Sequence, residues 1–479
     1  MLMKKYVVLV LICLFFSAAA QENKKVWTLR EIIDYAVSNN LTIKRSAYGV
    51  RTGEINLLQS KMAMLPNLNA NGNYGINWGR TIDPTTNIFT ENEIRNSNLG
   101  ATSALLLWNG FRLFYNLKQS DAELDAANED LIKARNDVIL NVITLYLNVV
   151  FNKELYTVAQ LQLNTTQEQL QRTKKLADAG SVPLADVLNL DAQLATNEVN
   201  VIQQENALNL SLLQLKQALQ LPASTPMDVE LPNVDITNDL VINKTADEIY
   251  DIATLSMPEI RAAELRKQSS LYAVRSAKGN LYPRISVNAS YNTVYSDQRR
   301  QFFPDGNFQI VTEQIGYVQG SNSPVFRDLT VPTGNISVPS LGDQYRDNRG
   351  RSVGLNLQIP IFNGLSARSA MQRAAISRDL ADISYLEISN TLRQAVETAY
   401  NNAMAAGKTY SSTERQLKAR DEAYRMAKQR YSLGAVNFVD YQLAENNLFQ
   451  SQSDLLRAKY DFIFRKKVLD FYQGLPLDF

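Results

Sequence analysis

Histidine is absent from the chain and cysteine occurs once. Without histidine, the commonest general base near neutral pH and the commonest transition-metal ligand are both missing. The single cysteine, Cys13, lies in a short apolar run near the start, so the remainder has neither disulfide nor thiol chemistry. An excess of one charge sign is lacking too. Lys and Arg number 49 and Asp and Glu 48, a net +1 that leaves no electrostatic footprint for nucleic acid. No Gly-rich loop followed by Lys-Ser/Thr exists to cradle a nucleotide. No convergent acid, base and nucleophile are visible, so neither an enzyme nor a cofactor is expected. After residue 20 no apolar run approaches the ~18 residues of a transmembrane helix, and none is expected.

Residues 1–20 read as a secretory signal peptide. Lys4-Lys5 give the positive start, Val7 to Phe16 the apolar stretch and Ser17-Ala18-Ala19-Ala20 the small-residue cleavage site. Ile12 is too large to precede a lipidated cysteine, so Cys13 is expected to leave with the signal. An exported chain without a helical anchor can still cross an outer membrane as a β-barrel.

What is present is said twice. Thr28, Glu31, Ile32, Asp34 and Ala36 recur as Thr245, Glu248, Ile249, Asp251 and Ala253, a shift of 217. Further on, Asn109-Gly110, Tyr146, Gly180 and Asp186 recur as Asn363-Gly364, Tyr400, Gly434 and Asp440, a shift of 254. The 37 extra residues lie between Pro283 and Asn363. Repeat 1 is placed at residues 21–221, an irregular belt at 222–245 and repeat 2 at 246–479. A unit this long is no small solenoid repeat.

Phe111–Ala179, Leu184–Leu221, Leu365–Leu433 and Ala435–Gln473 are almost free of Gly and Pro and rich in helix formers. The first would span ~100 Å as continuous helix. Val187, Leu194, Val201, Leu208 and Leu215 hold a heptad, and Tyr441, Leu448, Leu455, Phe462 and Leu469 hold it again. The companion positions Asp191, Glu198 and Glu205 leave half of that seam wet near Gly180. Each repeat therefore carries a long helical hairpin, 111–221 and 365–473, with tight tips near Gly180 and Gly434.

Strands are expected at about 66–78, 98–108, 283–295 and 351–361. In the first, Leu68, Ala70, Gly72, Tyr74, Ile76 and Trp78 alternate with Asn67, Asn69, Asn71, Asn73, Gly75 and Asn77. One apolar face, one Asn- and Ser-rich face and a length near ~10 residues suit a membrane strand facing a wet lumen. The alternative is a soluble sandwich, for which two hairpins are too few. The connections Gly79–Arg95 and Ser296–Gly350 read as irregular polar loops, the second a long outer one holding most of the extra residues.

In order, the chain shows Trp27-Thr28-Leu29-Arg30-Glu31-Ile32 with Asn39-Asn40, the steps Leu65-Pro66 and Leu281-Tyr282-Pro283, and the steps Trp108-Asn109-Gly110 and Pro360-Ile361-Phe362-Asn363-Gly364. Tips follow, with Gly180 six residues before Asp186 and Gly434 six before Asp440. This order, its duplication and the signal peptide resemble the TolC family of outer-membrane efflux channels over nearly the whole chain. The resemblance implies a mainly α fold with a small β part. Coiled-coil hairpins form an α-barrel tunnel in the periplasm, and four strands join a trimeric 12-stranded barrel in outer-membrane lipid. Four strands cannot close a barrel alone, since the smallest membrane barrels have ~8, though strand count by itself also allows two or four copies. The implied function is a passive exit duct of a tripartite efflux or type I secretion system. Its implied partners are a periplasmic adaptor (membrane fusion) protein and an inner-membrane RND or ABC-type pump.

The family's residues carry over to the tips. Asp440 corresponds to acids lining the closed periplasmic aperture, and Leu443 stands where a second acid is common, so one carboxylate layer is expected. The plainer role of Asp440 is to favour its helix N-terminus. Asp186 and Tyr431 match tip-closing positions, while the family's basic partner is replaced by Val436. Gly180 and Gly434 match adaptor-docking tips, beyond their turn role. Trp78, Trp108 and Tyr74 suit either the membrane interface or a subunit contact. Two other assignments compete: a periplasmic adaptor, expected to have one hairpin and small β-domains, and a secreted coiled-coil protein, expected to lack strands.

Overall fold

The computed structural model describes residues 25–83, 85–91, 93–232 and 242–475. The signal peptide expected at 1–20 and the middle of the expected belt lie outside them. In chain order the elements are β1 (Lys25–Trp27), α1 (Leu29–Asn39), α2 (Leu41–Met62), β2 (Asn67–Asn77), β3 (Thr81–Ile82), β4 (Phe89–Thr90), β5 (Ile94–Trp108), α3 (Arg112–Asp178), α4 (Leu184–Ala218) and β6 (Met227–Val229). They continue as α5 (Ala246–Ser256), α6 (Pro258–Gly279), β7 (Arg284–Ser296), β8 (Gln301–Tyr317), β9 (Pro324–Ser337), α7 (Leu341–Asp347), β10 (Gly350–Gln358), α8 (Ser366–Ser432) and α9 (Phe438–Tyr472). Contacts divide the chain into two compact units. One takes the described residues of Met1–Ile55, Asp121–Ser270 and Ser377–Phe479, the other Asn56–Ser120 and Leu271–Ile376. Each unit draws on both halves of the sequence.

In the helical unit, α1 and α5 start with the same device. Thr28 and Thr245 accept the backbone N–H of Glu31 and Glu248, and each glutamate accepts the threonine N–H in return. This capping box satisfies donors that a helix start otherwise leaves open. The core beneath α1 gathers Ile32, Ala36, Val142, Ile143, Tyr146 and Val150. Tyr146 donates to the Glu230 carbonyl at 2.7 Å, and Lys153 donates to Asp228 at 2.7 Å. Those bonds hold β6, which pairs in parallel with β1. The expected irregular belt thus contains a strand, because Met227 and Val229 are buried apolar anchors. In α8, Gly407 sits against the ring of buried Phe462, 3.3 Å from where a Cβ would stand. Helix propensity is given up there for close packing.

The stretch of α3 around Val138–Val150 differs from expectation. By length and composition α3 is apolar enough to cross a membrane. Asn141, Thr144 and Asn148 interrupt what would otherwise be one apolar run. Val142, Ile143, Tyr146, Leu147, Val149 and Val150 are instead buried in the core just described.

In the β unit, four antiparallel strands lie in the order β10-β7-β5-β2. Register aligns the alternation of all four. Leu68 faces Ser103, Ser103 faces Ala289 and Ala289 faces Val353, while Asn71, Gly100, Asn292 and Gly350 line up on the opposite face. Residues paired across a ladder share a face. One face therefore carries Leu68, Ala70, Tyr74, Leu99, Val287, Leu355 and Leu357, and the other Asn67, Asn69, Asn71, Asn73, Asn288, Ser290 and Asn292. Val353 is 79 % exposed and Leu68 78 %, so no described residue covers the apolar face at these points. Among the described residues the outer edges of β2 and β10 pair with no further strand.

Two expectations for the loops are corrected. β5 begins at Ile94 rather than near 98, because Ile94 is fully buried and Asn96 and Asn98 pair with β7 despite their low strand propensity. The supposed irregular loop Ser296–Gly350 contains a long two-stranded ribbon, β8–β9, and the short helix α7. Prolines 304, 324 and 332 suggested loop, but proline is tolerated on edge strands and at bulges, and both ribbon strands are edges. Gly79–Arg95 likewise contains the small pair β3–β4.

The base of the ribbon is clamped. The side chain of Gln344 in α7, fully buried, accepts from Ser296 N–H at 3.1 Å and donates to the Ser296 and Pro339 carbonyls at 2.9 and 3.2 Å. Asn348 donates to the Val294 carbonyl at 2.8 Å. Buried Asp83 accepts from Ser296 Oγ and from the N–H groups of Thr85 and Thr86.

Candidate functional site at the two helical tips

Both hairpins turn identically. After α3, Gly180 has φ +70°, its N–H donating to the Ala177 carbonyl at 2.8 Å and that of Ser181 to Leu176 at 2.8 Å. After α8, Gly434 also has φ +70°, its N–H donating to Tyr431 at 3.0 Å and that of Ala435 to Arg430 at 2.8 Å. This paired closure is the Schellman motif. No atom lies within 4 Å of a Cβ built on either glycine, so the left-handed backbone, not space, requires glycine.

The following helices start differently. α4 opens at Pro183 with no side-chain cap, whereas Asn437 Oδ1 accepts the Asp440 N–H at 2.8 Å to open α9. Asp186 and Asp440 both occupy the first turn, where a carboxylate meets the positive helix end. Asp186 is half-buried, and its charge together with burial raises the Tyr431 hydroxyl's pKa, burial being the larger cause. Asp440 is exposed, and among the described residues its carboxylate has no hydrogen bond or ion pair. Leu443, one turn on, is 59 % exposed. The structure thus brings Asp186 and Tyr431 together and sets Asp440 and Leu443 on the open side of α9. Val436 is half-buried.

The buried side of α9 brings heptad and tip residues together with Phe438, Tyr424 and Glu445, which the sequence reading missed. Tyr441, Phe438, Val187, Leu190 and Leu170 form one core, joined by Tyr424 and Tyr431, and this ties α3, α4, α8 and α9 together. Tyr431 stacks on Tyr441 with ring centroids 5.0 Å apart, and Tyr424 also stacks on Tyr441 at 5.9 Å. Within this cluster lies Glu445, only 5 % exposed. It accepts from Gln169 Nε2 at 2.6 Å, Tyr424 OH at 3.2 Å and Tyr441 OH at 3.4 Å. A signal was available. Tyr424, Tyr431, Tyr441 and Glu445 stand where the first repeat has Leu170, Ala177, Val187 and Asp191. Three tyrosines replacing small or aliphatic side chains mark a polar junction rather than a plain seam.

Burial raises the Glu445 pKa, against the hydrogen bonds from Gln169, Tyr424 and Tyr441 and the charge of Lys428. The folded tip therefore binds this proton more tightly than an unfolded chain does. Its contribution is fully present below the ordinary 4.5 and is lost as pH rises through the raised value. Hydrogen exchange near the tips of α8 and α9 is expected to quicken over that interval, and Glu445→Gln to flatten the dependence. An unchanged profile in the variant contradicts this.

Further along α3, α4 and α9 lies an open cavity of about 690 Å³, lined by Gln162, Gln193, Asn200, Gln203, Asn446 and Gln450 among others. Arg457 is its only charged lining residue. Amides of this kind bind and hydrate but do not supply an acid–base pair. Among the described residues no three or more Cys, Asp or Glu side chains converge on a metal-sized site.

A family model described as outer membrane efflux protein matches residues 32–220 and 249–469. The outer membrane efflux protein BepC of Brucella suis is 21 % identical over 440 residues, covering 91 % of this chain and 83 % of that protein. The outer membrane protein TolC of Escherichia coli is 24 % identical over 342 residues, 69 % of this chain and 59 % of that one. Among solved structures, the outer membrane protein VceC of Vibrio cholerae superposes with a TM-score of 0.71 at 14 % identity, covering 94 % of this chain and 97 % of that one.

Proposed function

Because the chain belongs to the outer membrane efflux protein family, we propose that it is the exit duct of a tripartite efflux or type I secretion system. It resides in the outer membrane with its helical part in the periplasm. It conducts substrates passively from an inner-membrane pump of RND or ABC type and a periplasmic adaptor to the exterior. With no nucleotide site in the sequence, the energy comes from the pump, and the chain itself catalyses no reaction.

The observation carrying this is the four-stranded sheet. Its apolar face is bare and its two outer edges are open. In lipid every backbone polar group must be paired, so β2 of one copy joins β10 of the next until the sheet closes. Three copies give twelve strands, apolar outside and Asn- and Ser-lined within. Exposed heptad residues Leu41, Tyr48, Ile55 and Met62 on α2 support burial against another copy as well. Asp440 rings the closed aperture, Asp186 and Tyr431 hold the tips, and Gly180 and Gly434 present them to the adaptor.

Topology supplies the test. Long connections of such barrels face outward. Ser321→Cys, in the turn of the β8–β9 ribbon, and Ser181→Cys, at a tip, are both exposed positions. On intact cells a membrane-impermeant thiol reagent is expected to label the first and not the second. The reverse pattern overturns this orientation.

A further inference from the structure

The β8–β9 ribbon stands as a two-stranded sheet pairing with no other described strand. A lone hairpin is marginally stable in water, and this one is exposed along nearly its whole length. Its base is nonetheless hydrogen-bonded, through buried Gln344 and Asp83, to the end of β7.

Each of its faces carries large apolar side chains among polar ones. Register places Phe302, Phe308, Ile310, Phe326 and Ile336 on one face, with Phe308 68 % and Ile310 71 % exposed. The other carries Phe303, Val311, Leu329 and Val331 around the ion pair of Glu313 and Arg327 at 3.7 Å. Residues 301–338 contain no lysine and only four charged side chains, Asp305, Glu313, Arg327 and Asp328. The usual protection of an exposed strand is therefore thin. Pro304, Pro324 and Pro332 lack N–H groups, which disfavours extension by further hydrogen-bonded strands and favours contact through faces.

We propose that the ribbons of neighbouring copies pack face to face into a collar above the barrel, an inference that rests on the exit-duct reading. The commitment to a second copy of this chain follows from two observations. The ribbon connects β7 to β10, and β10 is the open edge where the next copy joins. Large apolar side chains stand exposed on both faces, Phe308 and Ile310 on one and Phe303 and Val311 on the other, and a head-to-tail ring covers both at once. A lipid surface would cover one face only, leaving the other to be polar. Packed sheets lie ~10 Å apart, so side chains of this size meet across the gap.

A photoreactive phenylalanine analogue at Phe308 and, separately, at Val311 tests both faces on intact cells. Each is expected to give covalent dimers and trimers of this chain, lost when Ile310→Lys and Phe326→Lys are added to the Phe308 probe. Adducts only with lipid or another protein, or no adduct, overturn the collar. Mass and conductance of the same preparations keep the two readings apart. A conducting trimer without chain-to-chain adducts sinks the collar alone. A preparation that neither trimerises nor conducts sinks the exit duct on which it rests.

Discussion

Gly434→Pro and Gly180→Leu are expected to leave the trimer assembled in the outer membrane and to reduce export about tenfold or more. Both glycines have φ +70°. Proline locks φ near −65° and removes the N–H that Gly434 donates to Tyr431 at 3.0 Å. Leucine at Gly180 costs roughly 1–2 kcal/mol of left-handed strain. Open space around both positions means that strain, not collision, is the effect. If the tip must hold its closure to dock, a loss of about 1.4 kcal/mol is a tenfold weaker adaptor complex. The barrel strands are untouched, so assembly survives. Pull-down of the adaptor and efflux assays check this. Undiminished export through the variant duct removes these glycines from docking.

Asp440→Asn is expected to abolish block of the closed channel by cations added from the periplasmic side. The carboxylate is exposed and, among the described residues, unpaired. In the proposed trimer, three copies about an axis would bring like charges together. At ~6 Å each pair repels by roughly 0.7 kcal/mol in bulk water and roughly 3 kcal/mol at an effective dielectric of ~20. A bound cation relieves that repulsion, as does widening the entrance. Leu443 adds no second carboxylate layer, so block of the wild type is expected to be present but modest. Single-channel conductance of both proteins decides. Equal block in each leaves Asp440 as a residue that favours its helix start.

Local chemistry made much of the fold legible. The long helices are almost free of Gly and Pro, two of their ends are marked by Gly180 and Gly434, and β2 and β10 alternate apolar with polar residues. The ribbon was not legible because its prolines carry opposite meanings in a loop and on an edge strand. The burial of α3 around Val142 was hidden by Asn141 and Asn148, polar residues spaced along an apolar stretch. At the tips, Asp186 and Asp440 look alike in sequence, each in the first turn of its helix. Only packing separates them, one half-buried near Tyr431 and the other exposed. Comparing the repeats hints at a polar junction around Glu445 but does not show that Glu445 is buried. Its burial depends on Gln169 and Tyr424, which reach it from helices distant in sequence.

The central claim is that this chain forms a passive pore. Planar-bilayer recording from protein extracted from the outer membrane, with its mass measured on the same sample, tests it most directly. Stable ion conductance from a three-chain particle, without nucleotide, is the expected result. A well-folded oligomer that never conducts, or a conducting particle of two or four chains, contradicts it.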